Sequence, residues 1–318
     1  MKYSKLILIA SLSSFIQPAI ASSEFPQREL SLTVNYGPGS NTDVASRVFA
    51  EGFSKEIGKP VVVENRAGAL GTLAVSWLAK QSPDPHRIGV VTYATQAISP
   101  HLMDTSYKMD DFEWVCGFGR YRYGVAVRAD SEYKTIDDLV NASKQGKSVF
   151  FGGTSTPNVI ALLELGRVTG GKFEQIAYKS GGEVTTALLG GHIEALVQNP
   201  SDILPHVQSG KMRLLASASP MRWPELPDVP TLRDAGYPVS VDSWVGLGIR
   251  AGSDQASLKR LETACLATIE NAEIAKRIAN IGIDPAGLTG EQYKAALMEG
   301  YKTMGEAIKA ANLPRVTN

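Results

Sequence analysis

The feature that most constrains this chain is alternation. Short runs rich in β-branched and apolar residues recur along it, separated by stretches with helical periodicity. Leu30–Tyr36, Pro60–Asn65 and Arg87–Tyr93 read as buried strands, and Gly124–Arg128, Ser148–Gly153, Ile193–Asn199 and Met212–Ser219 continue the pattern. Strands alternating with helices predict an α/β fold, with mostly parallel sheets flanked by helices. In such sheets ligands bind beyond the carboxyl ends of the strands, at the loops that lead into helices.

Those loops share a composition. In "NYGPGSNTDVASRVFAEGF" Gly37, Pro38 and Gly39 mark a tight turn, and Ser40 and Asn41 are good helix N-caps. Ala45, Val48, Phe49, Phe53 and Ile57 then repeat at helical spacing, giving one buried face. A strand, a small-polar loop and a helix N-terminus together form a place suited to an anion. Four further junctions look alike: "TYATQAIS" at Thr92, "GGTSTPN" at Gly152, "YKSGGEVTTALLGG" at Tyr178 and "QNPSD" at Gln198. Five such loops in one chain suggest a small polar ligand bearing carboxylates.

The first 21 residues read as a secretory leader. Lys2 and Lys5 precede an apolar run too short and too interrupted for a membrane span, and Ala19-Ile20-Ala21 is a small-x-small cleavage site. The expected product is an exported protein beginning near Ser22; an uncleaved anchoring helix is the alternative. The whole chain has 32 basic and 32 acidic residues, and loss of the two leader lysines leaves a formal charge of −2. That balance argues against nucleic acid as a partner. "RYRYGVAVR", from Arg120 to Arg128, reads mainly as a strand edge.

Two cysteines, Cys116 and Cys265, allow one bridge in an exported protein, and the residues leave pairing open. Cys265 falls on the apolar face of a helix with Leu258, Leu261 and Ile269, where a structural role is expected. About 297 residues after the leader favour two lobes. The proline-rich stretch Ser219–Pro238 is expected to pack as an ordered loop.

Catalytic patterns are sparse. His86, His101, His192 and His206 form no metal-ligand spacing, and no phosphate loop, dinucleotide fingerprint or G-x-S-x-G elbow occurs. The expectation is no cofactor, no metal, no catalytic residue and no enzymatic activity. Ser155 is the candidate nucleophile if the chain is instead an exported hydrolase, but no base can be assigned to it.

The segment "NYGPGSNTDVASRVFAEGFSKEIGKPVVVENRAGALGTLA" resembles the N-terminal signature of the tripartite tricarboxylate transporter substrate-binding proteins, the Bug family. "AYKSGGEVTTALLGGHIEALVQNPSDILPHVQSGKMRLLASAS" and "LPDVPTLRDAGYPV…SWVGL" match two more of its signatures, in order. The chain departs from the family pattern at Gly37, at Ser40 and Asn41 within the glycine triplet, at Ala67 and Leu70, and at Pro83–His86. The resemblance implies a two-lobed, type II-like periplasmic binding protein with ligand between the lobes. It divides the chain into lobe 1 (22–123 plus 250–318) and lobe 2 (124–249). It also implies binding of a small di- or tricarboxylate, leaning to the citrate type.

The ligand positions carried over are Gly39, Ser40, Asn41 and Thr42 in the first loop; Thr154, Ser155 and Asn158 in the third; Tyr178, Gly181 and Gly182 in the fourth; and Asn199 in the fifth. Asp43 is expected to cap the helix or fix the loop, since a bare carboxylate would repel an anion, and Arg47 is expected on the helix surface. The implied partners are the permease subunits of a tripartite transporter, with a membrane sensor kinase as the alternative and the chain acting as a monomer. Trp244 is expected near the lobe crossing.

Overall fold

A computed structural model describes residues 25–313 apart from Lys179, together with Arg315. The expected leader, residues 1–21, lies outside the described residues. The first lobe begins with β1 (Leu30–Val34), α1 (Asn41–Ile57), β2 (Val61–Asn65), α2 (Thr72–Ala79), β3 (Arg87–Thr92), α3 (Ser99–Leu102) and β4 (Phe112–Tyr121). The second comprises β5 (Gly124–Arg128), α4 (Ile136–Lys144), β6 (Val149–Gly153), α5 (Thr156–Thr169), β7 (Phe173–Ala177), α6 (Gly181–Leu189), β8 (Ala195–Gln198), α7 (Pro200–Gln208) and β9 (Met212–Ser217). The chain then returns through β10 (Ser243–Arg250), α8 (Gln255–Glu270), α9 (Ala272–Asn280), the short β11 (Ile283–Asp284) and β12 (Leu288–Thr289), and α10 (Gly290–Ala310).

Strand order is β11-β4-β10-β3-β1-β2 in one sheet, with β12 on β4, and β7-β6-β8-β5-β9 in the other. Each sheet has a parallel unit of three strands, β3-β1-β2 and β7-β6-β8. Where β4, β5 and β10 carry the chain between lobes, pairing becomes antiparallel. The sheets are therefore more mixed than the βα alternation alone implies. Strand β10 hydrogen-bonds between β3 and β4, so its residues belong with the first sheet, whereas the sequence division put Ser243–Ile249 in lobe 2. The run "SWVGLGIR" marks a buried strand in either sheet; only pairing decides which.

The two crossings lie side by side. Ala218 N–H donates to Tyr123 C=O at 2.8 Å, Val241 N–H to Ala218 C=O at 2.8 Å, and Tyr123 N–H to Ser219 Oγ at 2.9 Å. Trp244 sits at this junction, buried beneath the Arg120 guanidinium at 4.6 Å.

Local signals explain the elements that frame the cleft. Helix α1 buries Ala45, Val48, Phe49, Phe53 and Ile57 as its periodicity requires. Helix α4 carries the capping box of Thr135 and Asp138. The loop 219–238 is irregular, and fully buried Trp223 anchors it in the second-lobe core. Cys116 on β4 and Cys265 on α8 form a disulfide across the first-lobe core, both fully buried.

Candidate functional site

A cleft of about 560 Å³ opens between the lobes, within the range of small-molecule sites. Its walls are strand ends and helix starts. The N-cap residues of four helices line it: Ser40 of α1, Ser155 of α5, Ser180 of α6 and Asn199 of α7. Each helix start carries unsatisfied N–H groups and the positive end of the helix dipole. Among the described residues no lysine, arginine or histidine lines the cleft.

Three tyrosines complete the wall. Tyr36, Tyr121 and Tyr123 line the cleft with Thr92 and Ser243. Burial pushes the hydroxyls of all three upward in pKa, partly offset by hydrogen bonds to Thr92, Thr42 and Ser243 respectively. They therefore stay protonated at neutral pH and able to donate. Thr42 Oγ1 and the Tyr121 hydroxyl lie 2.5 Å apart, tying the first loop to the end of β4.

The first loop is held from behind by Asp43. Its carboxylate accepts from Gly39 N–H at 2.9 Å, from Asn65 Nδ2 at 2.7 Å and from Arg47 Nε at 3.0 Å. Asn65 also donates to Tyr36 C=O at 2.9 Å and accepts from Arg47 Nη2 at 2.8 Å. Burial opposes ionisation of Asp43, but these donors outweigh it and hold the carboxyl below its ordinary value. Arg47 is half exposed yet belongs to this network, more than a surface role. Gly39 adopts φ +80°, a conformation that favours glycine.

Of the sequence-derived positions, nine line the cleft: Gly39, Ser40, Asn41, Thr42, Thr154, Ser155, Asn158, Gly181 and Asn199. Several are already engaged. Gly39 spends its N–H on Asp43; Asn158 Nδ2 donates to Val197 C=O at 2.8 Å, and Asn199 Nδ2 to Arg122 C=O at 2.9 Å. Asn41 Nδ2 reaches across the lobes to Ser201 Oγ at 3.3 Å. Two positions fall elsewhere. Tyr178 packs against the second-lobe core, where a Cβ on Gly152 would lie 3.1 Å from its ring, and Gly182 is exposed. Ser155 donates to Asn158 Oδ1.

Sequence reasoning missed Tyr36, Tyr121, Tyr123 and Ser243. Tyr121 and Tyr123 stand two apart in "RYRYG", and the lobe crossing brings both to the cleft. It also left Asp202 without a role. This half-buried carboxylate lines the second-lobe wall, and a Cβ on Gly181 would lie only 2.6 Å from its Oδ1. Burial raises its pKa, against a smaller lowering by His206. A raised folded pKa means stability is lost as pH rises above about 4. Asp202→Asn is therefore expected to raise the thermal midpoint at pH 7. The gain should vanish below about pH 4, which paired melts at pH 3.5 and pH 7 will check.

Two sheets joined by adjacent crossings, with a small-ligand cleft between them, define a two-lobed solute-binding fold. Comparison narrows this. The sequence profile of the tripartite tricarboxylate transporter family receptor matches residues 45–313, and the chain belongs to that family. A Cupriavidus necator protein named for the gbd 5′ region is 29% identical over 311 residues, 96% of this chain and 94% of its own. BugT of Bordetella pertussis is 28% identical over 304 residues, 92% of this chain and 93% of its own. Among solved structures, one described as a periplasmic transporter superposes with a TM-score of 0.77 at 28% identity, covering 92% of this chain and 100% of that one. An R. palustris protein solved with adipate gives 0.78 at 23% identity, covering 91% and 99%.

Proposed function

We propose that the chain captures a small carboxylate in the interlobe cleft and delivers it to the membrane subunits of a tripartite tricarboxylate-type transporter, without turning it over. The observation that carries this reading is the convergence of four helix N-termini and three protonated tyrosines on one cleft with no cationic side chain among its described residues. Backbone and hydroxyl donors satisfy a carboxylate through charge-assisted hydrogen bonds, and the dipoles favour its charge. The Ser155 hydroxyl is committed to the Asn158 amide oxygen, which supports binding over nucleophilic attack. The family assignment supports the transport role, and among the described residues no helix is long and apolar enough to cross a membrane. The Asn41–Ser201 bond supports lobe closure as the signal read by the permease, a population shift driven by tighter ligand contacts in the closed state.

The test is Asn41→Asp. A second charge at the start of α1 should weaken carboxylate binding at least tenfold, about 1.4 kcal/mol, in a calorimetric titration. Unchanged affinity would move the anchoring loop elsewhere.

A further inference from the structure

The cleft does not end at its polar walls. Past Tyr36, Ala94, Thr154, Ser155 and Pro157, which both spaces share, lies a side chamber of about 140 Å³. Its remaining lining is mostly apolar: Leu70, Ile98, Leu102 and Met103 from the first lobe, with Ser99 beside them and Thr156 from the second lobe. Ile98, Leu102 and Met103 are fixed in place by burial, at 2%, 6% and 3% exposure. A dry apolar cavity of roughly 150 Å³ admits a benzene-sized group.

Leu70 is the unusual wall. It is 58% exposed, and it adopts φ +54° directly after Ala69 at φ +46°. Two successive non-glycine residues in the left-handed region are strained, and the loop sets an apolar side chain in water as well. Strain of this kind collects at ligand clamps. Here it holds Leu70 in the wall of the chamber. The polar cleft meanwhile already contains the carboxylate of Asp202, which disfavours each further negative charge on a ligand.

We infer that the solute is an amphipathic monocarboxylate. Its carboxylate binds among the helix N-termini, its alkyl or aryl body fills the side chamber, and Leu70 is the residue that selects for that body. This rests on the carboxylate reading above and replaces the lean toward citrate with a more apolar class.

The probes are acetate, butyrate, hexanoate, benzoate, succinate and citrate, titrated calorimetrically into the wild-type chain from Ser22 and into Leu70→Gly. Each methylene entering the chamber should add about fourfold in affinity, from roughly 0.8 kcal/mol per buried CH₂. Hexanoate and benzoate should therefore bind far more tightly than acetate, and citrate weakly. Leu70→Gly should lose about tenfold for benzoate and leave acetate unchanged. Its melting temperature should hold or rise, because glycine suits this backbone, so loss of binding will not reflect unfolding. Tight citrate or succinate binding, indifferent to Leu70, would overturn the inference and leave the carboxylate reading standing. Silence from all six acids would overturn both.

Discussion

Asp43→Ala will cost about 3 kcal/mol of stability and most of the ligand affinity. The carboxylate is 3% exposed and accepts three hydrogen bonds, from Gly39, Asn65 and Arg47. Bonds to a charged group are worth roughly 1.5–3 kcal/mol, and truncation leaves their donors without an acceptor. Arg47 is half exposed and can rehydrate, which keeps the total below the cost of breaking a fully buried pair. Because folding lowers the Asp43 pKa, its contribution is present above about pH 4 and is lost as pH falls through the folded value. The deficit of the variant should therefore shrink in acid. Asp43→Asn, which keeps an acceptor and the shape, should fall between wild type and alanine. Urea unfolding at pH 7 and pH 3 separates these outcomes, and an alanine variant as stable as wild type would remove Asp43 from the account of the loop.

Replacing both cysteines with alanine will lower stability by about 2–5 kcal/mol, a drop in melting temperature on the order of 5–15 °C. The bridge closes a loop with a sequence separation of 149, so its loss releases a large amount of unfolded-chain entropy. It ties β4 to α8 inside the first-lobe core, and neither cysteine lines the cleft. Carboxylate affinity should therefore persist at temperatures where the variant is folded. Differential scanning calorimetry with and without the bridge measures the first effect, and titration at 15 °C the second.

Local physics made much of the molecule legible before any fold was known. The β1–α1 junction announces itself because a strand, a glycine turn and an N-cap are all contiguous features, and Ser40, Asn41 and Thr42 do line the cleft. The same holds for the α5 start at Thr154 and Ser155. What stayed hidden depends on the partner across space. Tyr121 and Tyr123 read as a strand edge, and they reach the cleft because β4 hands over to β5 at the lobe crossing. Asn65 looked like the end of a strand, yet its amide links Asp43 to the Tyr36 carbonyl. Strand β10 could have joined either sheet until its pairing with β3 and β4 was seen. The disulfide was undecidable at that separation, since burial of each cysteine says nothing of their distance. Tyr178 and Gly182 fall outside the cleft lining for the opposite reason: a motif places a loop at the cleft, but which of its residues turn inward is set by packing beneath it.

The central claim is that uncharged donors at four helix starts recognise a carboxylate. It is tested most directly by measuring thermal stability against matched pairs of carboxylic acids and their primary amides, in the wild type and in Asn41→Asp. A carboxylate at a hundred times its dissociation constant should add about 2.7 kcal/mol to the wild type. Its amide should add far less, and the variant should lose the response. Equal responses to acid and amide, or stabilisation by sugars or peptides while every carboxylate is silent, would contradict the account.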